Sequence, residues 1–194
     1  MGALYKTGNL IIHMACEPKE RGILHHLQSR GKFRSVQRNN NGQTSLHHAI
    51  EIGNVEAVKL LLEYQGALNP SDLKGQTPLM TAVKAGNKEI CELLINCSRP
   101  DGEKVDINKG DVNEDTPLHI CSRKDVAIGQ LLIRQGANKN AENNEGLTPI
   151  TVIPCEQRYM SAVYHDCCDA TGSLDEVVND LFNTGPVPEI QFLE

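Results

Sequence analysis

Apolar residues along this chain fall into short helical stripes that break off and then restart in the same phase. Leu46, Ala49 and Ile50 stand at i, i+3 and i+4, the inward stripe of a short helix. A Gly53-Asn54 break follows. Val55, Val58, Leu61 and Leu62 then supply the stripe of a second helix, which Gly66 stops, since glycine takes the left-handed backbone of a helix end without strain. Leu79, Ala82 and Val83, followed by Ile90, Leu93 and Leu94, repeat the arrangement. Upstream, Ile23, Leu24 and Leu27 make a single stripe over 21–30. Leu46, Leu79, Leu118 and Ile150 lie 33, 39 and 32 positions apart. A period in the low thirties marks a stacked repeat: one helix pair cannot bury its apolar face alone, so neighbours must cover it.

The polar residues at the restarts agree with this. Thr44-Ser45-Leu46-His47, Thr77-Pro78-Leu79, Thr116-Pro117-Leu118-His119 and Thr148-Pro149-Ile150 open the successive first helices. A threonine N-cap offers its hydroxyl to a free backbone N–H of the first turn, worth about 1 kcal/mol. Proline at the first helical position loses an N–H that had no partner there. Gly42, in the turn 39–42, is available for positive φ, and Glu114 stands where the other units have glycine, so that turn must be different or strained. The segment 97–105 carries additional residues with Pro, Asp and Gly, the composition of an exposed loop. Gly8 to Ala15 align with Gly42 to Ala49 but have lost the cap, as expected of a terminal unit. Pro154 should truncate the first helix of the last unit, 155–170 has no counterpart elsewhere, and 172–177 returns to the second-helix pattern.

The period, the Thr-Pro-Leu-His core and the Gly-Ala endings at Gly66-Ala67 and Gly136-Ala137 together resemble the ankyrin repeat family. The resemblance implies an all-α solenoid of about five helix–turn–helix repeats with short hairpin loops and irregular first and last repeats. The expected single domain, 1–194, has repeats at approximately 8–38, 39–71, 72–108, 109–142 and 143–185, with 186–194 an extended tail. In the family, the histidine matched by His13, His47 and His119 bonds to neighbouring backbone, so Met80 and Thr151 in its place should tie their junctions less.

The resemblance also implies a non-enzymatic module that binds a partner protein on a concave face made by hairpin tips and first helices. Position by position, that face is expected to carry Asn40, Asn41, Gln43, Glu51 and Ile52 in the second repeat. The third supplies Leu73, Lys74, Gln76, Lys84 and Ala85, and the fourth Val112, Asn113, Asp115, Arg123 and Lys124. Asn144, Glu145 and Leu147 come from the last. Leu73 and Val112 stand out, because an apolar side chain on a hairpin tip calls for a reason. Lys84, Arg123 and Lys124 form a basic strip suited to an acidic peptide. The stretch 132–141 is similar to the family's asparagine-hydroxylation site, with Asn140 as acceptor and Asn138 where aspartate is preferred. The irregular loop and last repeat also fit a narrower role, an inhibitor or decoy of a transcription factor or signalling protein of the inhibitor-of-kappa-B type.

Composition narrows the alternatives. Aromatics make up 4% of the chain and tryptophan is absent, so the core rests on Leu, Ile, Val and Ala in thin layers. The net charge of −6 disfavours phosphate backbones, and hence nucleic acid. No apolar run reaches the roughly 18 residues of a membrane span, and the start lacks a secretory leader's apolar centre. Seven scattered cysteines read as reduced thiols of a cytoplasmic or nuclear protein, expected to be a monomer. Adjacent helical histidines, His25-His26 and His47-His48, point about 100° apart and cannot clamp one metal. Cys155, His165, Cys167 and Cys168 lack the paired spacing of structural zinc, which leaves a metal-binding or catalytic role in 155–170 as the minor reading. No phosphate loop or nucleophile elbow is present, so neither cofactor nor catalytic residue is expected.

Overall fold

The computed structural model describes Cys16 and residues 37–63, 67–97, 102–121, 126–149 and 151–152. Within them lie six helices in three pairs: α1 (Ser45–Glu51) with α2 (Val55–Glu63), α3 (Pro78–Ala85) with α4 (Lys88–Ile95), and α5 (Pro117–Cys121) with α6 (Val126–Arg134). No strand occurs among the described residues. Each first helix packs on its own second helix and on the next first helix. The second helices pack α2 on α4 and α4 on α6. The result is an all-α stack two helices deep. The expected first repeat, 8–38, the last unit beyond Val152, the tail 186–194 and the segment 155–170 lie outside the described residues.

The caps follow from the sequence. Thr44 and Thr77 are extended (φ −85° in each) and precede their helices as N-caps. The Thr77 hydroxyl accepts the Met80 N–H at 3.3 Å, whereas the Thr44 hydroxyl turns toward His47 Nδ1, 2.9 Å away. Gly86 ends α3 in the left-handed region, and the Asn87 side chain then caps α4 by accepting the Ile90 N–H.

The core is one continuous cluster that includes Leu46, Ile50, Val58, Leu61, Leu79, Val83, Ile90, Leu94, Leu118, Ile128 and Leu132. Of the residues expected to face inward, Val55, Leu62 and Leu93 are only half-buried, with Val55 and Leu62 packing against the edge of the core. The inward stripe of the second helices is instead Ala57, Val58 and Leu61 in α2, and Ile90, Cys91 and Leu94 in α4. At 100° per residue the buried Leu61 and Leu94 leave Leu62 and Leu93 rotated to the flank.

The inserted loop is also less free than its composition predicted. The Glu103 carboxylate accepts the Leu68 N–H at 3.2 Å. The Asn69 side chain donates to Lys104 O at 2.8 Å and accepts from Asp106 N at 2.7 Å. The Lys109 ammonium donates to Asn69 O at 3.1 Å. This portion of the loop is therefore strapped to the end of the preceding unit.

Candidate functional site

Four hairpin tips, beginning at Asn39, Asp72, Asp111 and Asn143, share one geometry. In each, the first residue's N–H donates to the carbonyl four residues on: Gln43, Gln76, Asp115 or Leu147. Its side-chain oxygen accepts the N–H groups two and four residues ahead, at 2.8–3.1 Å. An Asn or Asp is thus what closes each tip, because its short side chain mimics a backbone acceptor. The readable signal was an Asn/Asp two residues before each tip's second polar position. Successive tips are joined through the backbone: Leu73 N–H to Asn41 O (3.0 Å), Val112 N–H to Lys74 O (3.1 Å) and Asn144 N–H to Asn113 O (2.9 Å).

This close approach explains the tip glycines. A Cβ on Gly75 (φ 74°) would meet the Val112 nitrogen at 2.7 Å, and one on Gly42 (φ 74°) would meet the Leu73 nitrogen at 2.9 Å. Glu114 occupies the corresponding place with φ 59°, so the tip keeps its shape and the residue carries the strain.

The tips are tied to the first helices by histidine. His47 Nδ1 accepts the Thr44 N–H at 3.2 Å, and Nε2 donates to Gln76 O, in the next unit, at 3.0 Å. His119 does the same with Thr116 N (3.1 Å) and Leu147 O (2.9 Å). A backbone N–H can only donate, so Nδ1 is unprotonated and Nε2 carries the hydrogen. Burial pushes the His47 pKa below its ordinary value; the Gln76 carbonyl and the Asp72 charge pull weakly the other way. Met80 fills the same cap, its sulfur 3.4 Å from Thr77 N, but a thioether has no N–H to pass on to the next unit.

Between the tips and first helices of the first two described units runs an open groove of about 570 Å³. It gathers Asn41, Gln43, Glu51, Leu73, Lys74, Gln76, Lys84 and Ala85, all expected on one face, and adds Asp72 and Thr81. Its charge is mixed. Lys74 and Lys84 are exposed, while Glu51 accepts from the Gln43 side chain and one Asp72 oxygen is taken up by two backbone N–H groups. Leu73 (73% exposed) and Val112 (60%) are exposed large hydrophobics on neighbouring tips.

The other expected residues divide by environment. Asn40, Asn113, Asn144 and Glu145 are exposed on the tips. Asp115 is half-buried and accepts from the Asn143 side chain at 2.8 Å, and the Leu147 carbonyl accepts from His119. Ile52 is half-buried against the core, where it caps α1, and so belongs to the packing rather than to the open face. Arg123 and Lys124 lie outside the described residues, as do Cys155, His165, Cys167 and Cys168. Asn140 is exposed, its N–H held by the Asn138 side chain at 3.0 Å. Arg38, for which the sequence offers no motif, donates to Gly42 O at 2.7 Å and to Ser71 O. Among the described residues there is no cluster of three or more potential metal ligands, and no helix is long and apolar enough to cross a membrane.

Comparison with known proteins agrees with the geometry. Residues 12–108 match the family described as ankyrin repeats (3 copies), and residues 113–144 match the ankyrin repeat. The chain is similar to the mouse (Mus musculus) B-cell lymphoma 3 protein homolog, 31% identical over 155 residues. That alignment takes in 77% of this chain and 33% of the relative, so the chain spans about a third of that relative's length.

Proposed function

Because the chain belongs to the ankyrin repeat family, we propose that it is a non-enzymatic adaptor that binds a partner protein or peptide through the concave face of tips and first helices. The observation that carries this reading is the open groove at Leu73, Lys74 and Lys84, with the two exposed apolar side chains Leu73 and Val112 beside it. An apolar side chain held in water on a tip gains burial on docking, roughly 25 cal/mol per Å² of apolar area. The lysines suit a partner with an acidic segment, and the chain's net charge of −6 repels nucleic acid. In this reading the chain is one domain over 1–194, monomeric, and works in the cytoplasm or nucleus, where seven cysteines stay reduced. Asn140, exposed in its turn, is the proposed hydroxylation acceptor.

A narrower role, sequestering a transcription factor in the inhibitor-of-kappa-B manner, draws on the likeness to the B-cell lymphoma 3 protein homolog over most of this chain. The same experiment serves both. The chain and its Lys74→Glu/Lys84→Glu variant are used to capture proteins from lysate, and the captured proteins are compared. The expected outcome is selective loss of a defined partner from the variant. Equal recovery by both would move the binding surface off this face.

A further inference from the structure

A second groove lies on the opposite, second-helix side of the stack. It has about 430 Å³ of open space between α2 and α4, lined among others by Leu62, Glu63, Glu89, Glu92 and Leu93. Two features set it apart from an ordinary solvated helix face. Its floor is apolar: Leu62, half-buried and packed against the edge of the core, and Leu93, also half-buried, both line it. Its rim is acidic beyond what its own lysines neutralise. Lys59 is paired with Glu56 at 3.6 Å and Lys88 with Glu92 at 3.8 Å. Both lysines are thus engaged by acids of their own helices. Glu63 and Glu89 are exposed and have no ion-pair partner among the described residues.

We propose that this groove is a second docking surface, separate from the concave face, for a basic amphipathic helix of a partner protein. Adjacent helices leave a furrow along their length, into which the apolar side chains of a third helix fit at i, i+3 and i+4. Leu62 and Leu93 supply the apolar contact. Glu63 and Glu89, flanking it, select lysine and arginine on the polar edge of the incoming helix. The same charges reject an acidic segment of the kind the concave lysines attract, so one chain engages two partner segments of opposite sign.

The test uses the whole chain and a fluorescent synthetic peptide with leucine at helical spacing and lysine elsewhere, alongside a matched leucine–glutamate peptide. In the Lys74→Glu/Lys84→Glu background, which removes the concave lysines that would attract the glutamate peptide, fluorescence anisotropy is expected to show saturable binding of the lysine peptide only, weakening as salt is raised because the rim is exposed. Glu63→Lys/Glu89→Lys should bind it about tenfold or more weakly. Glu114→Lys/Glu142→Lys, which changes the net charge equally at a distance from the groove, should bind as the parent does. Leu93→Gln, conservative at a half-exposed site, should weaken binding without loss of helical circular dichroism, which is recorded for every variant. Equal weakening by both charge pairs, equal binding of the glutamate peptide, or no saturable binding would each overturn the proposal. Lys74→Glu/Lys84→Glu addresses the concave face and should leave this peptide's affinity unchanged, so the two surfaces succeed or fail separately.

Discussion

His47 uses one ring for two purposes, and both require it to be neutral. It caps α1 through Nδ1 and joins the next unit through Nε2, in a fully buried place. Its pKa in the folded chain lies below the ordinary 6.5, so the unfolded chain takes up a proton first as the pH falls. Folding stability from this group is therefore complete above about 6.5 and is lost as the pH drops below it. Chemical unfolding at pH 7.5 and pH 5.5 should show a smaller loss in His47→Met than in the parent. The variant itself should be less stable by about 1–3 kcal/mol, with the Gln76 carbonyl left unpaired. Ser45 is the opposite case. Its hydroxyl is buried and has no hydrogen-bond partner among the described residues, in a position that the next two units fill with Pro78 and Pro117. Ser45→Pro removes that orphan group and pre-sets the first helical residue, so a thermal melt should show stabilisation of roughly 1 kcal/mol.

At the scale of the element, the hairpin tip is the unit that the chain copies with least variation. Asn39, Asp72, Asp111 and Asn143 close it by the same pair of side-chain bonds, and glycine allows the next tip to come within bonding distance. Glu114 is the exception, a left-handed residue with a side chain. Glu114→Gly should raise stability by about 1 kcal/mol by releasing that strain, measured as a shift in the denaturant midpoint. The glutamate was legible as an anomaly. Whether the tip would change shape or hold it was not, because the answer depends on the bonds from the neighbouring tips, Val112 to Lys74 and Asn144 to Asn113.

For the whole molecule, stability is a property of layers in contact. α3 packs against both α1 and α5, and α4 against both α2 and α6, so a defect in the middle unit is felt on two sides. Leu94, fully buried, and Leu93, half-buried next to it, separate burial from mere hydrophobicity. Leu94→Ala should cost about 2–5 kcal/mol, and Leu93→Ala well under half of that, in paired unfolding curves. Reversed magnitudes would mean that the inward phase of the second helices is misplaced.

The sequence by itself determined the architecture: helix pairs at a fixed period, their caps, the inward Leu46, Ile50, Leu79 and Val83, and the family. These are local or repeated signals, and repetition adds up weak preferences into one consistent reading. Through the family resemblance it also placed Asn41, Gln43, Glu51, Leu73, Lys74, Gln76 and Lys84 on a shared face, which the fold gathers into one groove. Only the tertiary structure decided which of two adjacent apolar residues, Leu93 or Leu94, is covered, that Ile52 packs rather than faces outward, and that Glu103 and Asn69 strap the inserted loop. Each of those depends on the rotation of one helix against its neighbour or on a contact more than thirty residues away, and neither leaves a trace in the spacing of residues along the chain.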